Sequence, residues 1–220
     1  MVKLDLNDNV DVSFHVIILA LLSTSVFLFL EKKNINNKWN TVNNVSILIL
    51  IIASYHYFYM RNLWFENGDN PIIYRYMDWF FTVPLLIIEF YLILSTEIDI
   101  PVSIFYKLLL ASILMLLFGF LGEANIIDRT HGFILGSIFW IYIMYEIFYG
   151  ELHKFKKKIN NNSIHFIYDA LKWIITIGWA IYPIGYLLNT TDMNLTYNIG
   201  DFINKILYVL IIWYGAKYVN

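Results

Sequence analysis

A single bundle of seven membrane-spanning α-helices is the fold this sequence predicts, and three observations carry the prediction. The 220 residues are 59% hydrophobic and only 15% charged, where a soluble domain carries about 25%. The mean hydropathy is +0.60. The apolar residues gather into seven runs, at about 12–30, 43–62, 71–95, 101–122, 127–149, 164–189 and 197–218, each close to the roughly 20 residues that cross a hydrocarbon core.

The runs follow one another with little between them. The first comes after the acidic start MVKLDLNDNVD, which lacks the basic residues and cleavage site of a signal peptide, so it is expected to be retained. Polar joints such as EKKNINNKWN, NLWFENGDNP and ELHKFKKKINNNS separate later runs, and none is long enough for a second domain. Their Asn and Lys residues read as solvated loops. No internal repeat is visible.

Composition also excludes functions. With no cysteine there is no disulfide framework, thiolate nucleophile or zinc-thiolate site. A net charge of -2 argues against a nucleic-acid partner. His15, His131, His153 and His165 show no paired ligand spacing, so no metal is expected.

Orientation follows from lysine and arginine. With the N-terminus outside, the inner side and its helix ends hold Lys32, Lys33, Lys38, Lys107, Lys154, Lys156, Lys157, Lys158, Lys172 and Lys217. The outer side holds only Lys3, Arg61 and Arg129. The expected topology is N-out and C-in.

The third span, RYMDWFFTVPLLIIEF, carries charges inside an apolar run. At helical spacing Asp78 and Glu89 lie within about 20° of one another in projection and about 16 Å apart along the axis, while Arg75 and Thr82 lie about 60° and 40° from Asp78. All four therefore form one stripe, ordered Arg75, Asp78, Thr82, Glu89 from outside to inside. On the seventh span, Asp201 and Lys205 stand at i and i+4 on one face. A charged lysine near mid-membrane is costly and needs a counter-ion or chemistry that changes its proton affinity. A buried amine beside Asp78 and Asp201 suits a protonated Schiff base with an aldehyde cofactor. Trp79, Trp140, Trp179, Tyr182 and Tyr186 could wall an apolar slot beside it, although any one aromatic is more often packing or interface belt.

RYMDWFFTVPLLIIEFYLIL, FGFLGEA, GWAIYPIGY and DFINKIL resemble the microbial rhodopsins, specifically the proteorhodopsin group of light-driven proton pumps, over nearly the whole chain. The resemblance implies all-trans retinal bound to Lys205, with Trp79, Leu86, Trp140, Trp179 and Tyr182 around it. It implies Asp78 as proton acceptor and main counter-ion, Asp201 as second carboxylate, Arg75 balancing both, Thr82 at the middle of an Asp-Thr-Glu signature and Glu89 as inner-side donor. His56 matches a histidine that hydrogen-bonds the acceptor between protomers, and Leu86 matches a colour-tuning position where leucine goes with green absorption. The family also implies a multi-pass protein of the plasma membrane, partnered by lipid and protons and assembled as pentamers or hexamers. The resemblance implies a photoactive transporter rather than an enzyme.

The bland readings stand beside these: a snorkelling Glu89 near the inner surface and a satisfied core His56. Asp78 contradicts a sodium pump of this family, where asparagine replaces the acceptor. A light-gated channel needs a hydrated lane that LLII around one acid does not offer, and a photosensor needs no fast donor. Both remain the alternative readings. Glu123 and Asp128 are expected in solvent at the outer end of the fourth helix, and Glu146 near the inner surface. The segment NTTDMNLTYNIGD reads as an outer loop without release glutamates, and it carries sequons at Asn189 and Asn194 of the kind common by chance.

Overall fold

The computed structural model describes residues 4–68 and 70–219; Lys3 lies outside them. Seven helices are long and apolar enough to cross a membrane. They are α1 (Asn9–Glu31), α2 (Asn40–Asn67), α3 (Ile72–Ser95), α4 (Val102–Glu123), α5 (Arg129–Phe148), α6 (Asn162–Tyr186) and α7 (Thr190–Tyr218). No strand occurs among the described residues.

Local chemistry sets the helix ends. Asp8 caps α1 by accepting from Val10 N at 2.8 Å, which satisfies one of the first-turn donors. Asp128 does the same for α5 through Thr130 N and His131 N, and these bonds hold its carboxyl below the usual carboxylate range. Asn161 and Asn189 cap α6 and α7. Gly68 closes α2 in the left-handed region, φ 67°, donating to Trp64 O at 2.7 Å.

α1, α2 and α7 outrun the apolar runs that announce them, because propensity and caps end a helix whereas hydropathy marks only its lipid-crossing part. The largest difference is α7, which begins at Thr190 rather than near 197, so most of the expected outer loop is helix. The joint after α5 folds as a short helix, Glu151–Lys156, in which Lys156 is buried and bonded to Asp169 at 2.9 Å.

Each helix packs on its chain neighbour and α1 meets α7, which closes the ring. α3 sits at the centre: 67% of its apolar window is buried, against 28% for α4 and for α5. α4 and α5 approach backbone to backbone, since a Cβ on Gly132 would lie 2.6 Å from Gly122 Cα. Small residues permit such contacts in a bundle. α6 and α7 each contain a π-helical segment, Ile174–Gly178 and Phe202–Leu207. Asn204 joins them by donating to Gly178 O at 2.9 Å, and Trp140 donates to Ile175 O at 3.1 Å. Side chains thus take up carbonyls on a segment where the regular ladder changes.

Candidate functional site

The stripe on α3 and the pair on α7 meet in the bundle core. Lys205 is 1% exposed, and its ammonium pairs with Asp78 Oδ2 and with Asp201 Oδ2, the latter at 2.9 Å. Two anions and one cation would leave net negative charge in a dry core, and Arg75, fully buried, lies close by. It does not pair with either acid directly. Its Nη1 donates to Tyr57 O–H at 3.2 Å, and Tyr57 donates to Asp201 Oδ2 at 2.8 Å. Its Nη2 donates to Asn194 at 2.9 Å and to Asn198 at 3.0 Å.

The two aspartates differ in their partners. Besides Lys205, Asp201 accepts from Tyr57 at 2.8 Å, Tyr182 at 2.6 Å and Trp79 Nε1 at 3.2 Å. Among the described residues Asp78 accepts from Lys205 alone, and its Oδ1 has no partner. Thr82 donates to the backbone carbonyl of Asp78 at 3.0 Å rather than to its carboxylate.

Glu89, at the other end of the stripe, is fully buried. Ser46 of α2 donates to its Oε1 at 2.6 Å, and Oε2 has no partner among the described residues. A snorkelling Glu89 is ruled out by this burial.

His56 differs from its expected contact. It is half-buried, and its Nδ1 donates to Ile52 O one turn back at 3.0 Å. Neither Asp78 oxygen accepts from it, since the ring is tied to its own helix.

A cavity of about 110 Å³ lies among α3, α4, α5, α6 and α7. Trp79, Met115, Trp140, Trp179, Tyr182 and Tyr186 are among its walls, and Trp79 and Tyr182 are donors to Asp201. Lys205 is not itself among the walls; the slot adjoins its cluster through Trp79 and Tyr182, and a buried amine with flanking carboxylates beside an aromatic slot is the chemistry an apolar, conjugated aldehyde needs. Leu86 is buried, with its carbonyl accepting from Tyr208 at 2.6 Å, and it does not line the cavity.

Two expectations fail outright. Glu123 is not a solvated end residue: it is half-buried and accepts from Tyr76 at 2.9 Å and Tyr197 at 3.3 Å. Asn194 is no loop sequon, being fully buried against Arg75, because α7 starts early enough to turn it inward. Glu146 is buried, accepting from Tyr142 and from Glu151 N, whereas Asp128 is exposed.

Sequence reading missed Tyr57, Ser46, Asn194 and Asn198. Asn194 and Asn198 had a signal, their i, i+4 spacing one turn before Asp201. Tyr57 and Ser46 had none beyond being polar within an apolar run.

The chain matches the family described as bacteriorhodopsin-like protein over residues 8–219. It is 44% identical over 218 residues to the green-light absorbing proteorhodopsin of Gamma-proteobacterium EBAC31A08, covering 96% of this chain and 87% of that one. It is 42% identical over 219 residues to the blue-light absorbing proteorhodopsin of Gamma-proteobacterium Hot 75m4, with the same shares covered. Among solved structures, the blue light-absorbing proteorhodopsin from Med12 superposes with a TM-score of 0.84 at 41% identity, covering 95% of this chain and 98% of that one.

Proposed function

This chain belongs to the bacteriorhodopsin-like protein family and is an integral, multi-pass membrane protein, and from that premise we propose that it is a light-driven outward proton pump. Lys205 Nζ would carry all-trans retinal, with Trp79, Trp140, Trp179 and Tyr182 along the slot. When bound there, retinal supplies the light-dependent loss of proton affinity at the Lys205 nitrogen.

The chain's own residues do the rest. The proton on the Lys205 nitrogen passes to Asp78, its partner through Oδ2. Asp201 is the poorer acceptor, because its oxygens already serve three neutral donors whose bonds a new proton would displace. Asp201 is therefore the fixed counter-ion. Glu89 supplies the replacement proton: it lies about 16 Å along α3 from Asp78, with one serine donor and a free Oε2 that can carry the hydrogen.

Direction follows from depth and topology. The lysine bias puts the C-terminal end of the bundle inside, so Glu89 faces the inner half and Asp78 the outer half. The single observation that carries the reading is this placement of two buried carboxyls on one helix face, only one of them in contact with Lys205.

The test is illumination of unbuffered cells that contain the protein and retinal. The medium acidifies, and a protonophore abolishes the signal. Passive currents that reverse at a cation's equilibrium potential would make it a channel instead.

A further inference from the structure

Glu123 is a half-buried acidic group that takes no part in that scheme. Glu123 ends α4 at the bundle face where α1 begins, with each carboxyl oxygen accepting from a tyrosine: Tyr76 of α3 at 2.9 Å and Tyr197 of α7 at 3.3 Å. Glycine makes the first contact geometrically feasible, since a Cβ at Gly119 would come within 2.9 Å of the Tyr76 hydroxyl. No cation pairs with this carboxyl within 4 Å among the described residues.

The same tyrosines reach inward to the Lys205 cluster. Trp79 lies edge-on to Tyr76 at 5.1 Å and to Tyr197 at 5.2 Å, and it donates to Asp201. Tyr182, another donor to Asp201, lies 5.9 Å from Tyr197. The Arg75 guanidinium stands 5.2 Å from the Tyr197 ring centre. Tyr76, Trp79, Tyr182 and Tyr197 all line the one cavity. A half-buried carboxyl at the end of such a wall touches both the interior and the surface. It can exchange a proton with each, which a fully buried or a fully solvated group cannot.

We propose that Glu123 is the exit carboxyl, which takes the proton leaving Asp78 and delivers it to solution at the N-terminal face, with Tyr76 and Tyr197 as positioning residues. The proposal rests on the outward-pump reading. An O–H bond breaks at Asp78 and one forms at a Glu123 oxygen. That bond breaks in turn as the proton enters the solution, leaving both carboxylates as they began.

The test is flash excitation of the retinal-loaded full chain, with a pH-indicating dye confined to the solution. In Glu123→Gln, proton arrival at the dye slows about 100-fold, while the absorbance change that reports proton loss from the Lys205 nitrogen keeps its rate. Glu123→Asp restores most of the release rate. Release at the unsubstituted rate in Glu123→Gln overturns the proposal and leaves the pump intact. No light-driven release even from the unsubstituted protein overturns both. The unsubstituted protein gives a second measurement that needs no stable Gln variant. A protonated-carboxyl infrared band, distinct from the one assigned by Asp78→Glu, must grow as that of Asp78 decays, and its absence also overturns the proposal.

Discussion

The Lys205 cluster and the Glu89 site are both buried, both polar and both built on one face of α3, yet they are opposites. The cluster gathers Lys205, Asp78, Asp201 and, through Tyr57, Arg75, so two cations offset two anions in a core where an unpaired charge is costly. Among the described residues, Glu89 meets one serine and no cation within 4 Å. On the proposed reading, this difference lets one residue class serve two ends of a proton path. A carboxyl surrounded by charge is stable as an anion that waits for a proton, and a carboxyl surrounded by hydrocarbon is stable as an acid that holds one.

Substitutions that erase one side of this contrast test it hardest. Lys205→Ala removes the amine proposed to anchor retinal and leaves Asp78 and Asp201 without their shared cation. Protein mixed with all-trans retinal then stays colourless, and loss of the buried cation costs about 3–5 kcal/mol of stability in thermal unfolding. A normal visible band would refute the anchoring role. Asp78→Asn leaves the cluster's shape but not its vacancy for a proton, so acidification by illuminated cells falls to background. Undiminished acidification would move the acceptor role to Asp201.

At the other end, Glu89→Gln keeps the bond to Ser46 but has no acidic proton to give. The late decay of the light-induced absorbance change slows about 100-fold, and azide, a small diffusible acid, restores it. An unchanged decay would remove Glu89 from the path. Ser46→Ala is the mildest change, deleting one hydrogen bond worth about 1 kcal/mol and shifting the same decay by about five-fold. A larger shift than in Glu89→Gln would mean that the serine, not the acid, organises the inner half.

Much of this was legible residue by residue. Seven spans follow from run lengths, and the Arg75–Asp78–Thr82–Glu89 stripe follows from the fixed rotation of a helix. Asp201 and Lys205 at i, i+4 already implied an ion pair, which the structure holds at 2.9 Å. The failures have a common cause. His56 was expected to reach Asp78 but donates to Ile52, and Glu123 and Asn194 were expected in solvent but bond to tyrosines and to Arg75. Each error concerns what lies across a helix–helix boundary or where a polar helix end stops.

By itself the sequence determined the class of the bundle, the order of the charges along α3 and the isolation of one lysine within an apolar span, because periodicity and hydropathy are properties of a single helix. Tertiary structure alone decided that Asp201 has three neutral donors while Asp78 has none, that Ser46 reaches Glu89, and that Glu123 is held between two tyrosines. Those facts depend on how neighbouring helices are rotated and staggered. That register is set by packing over the whole bundle, including the close α4–α5 approach at Gly122 and Gly132, and not by any local pattern.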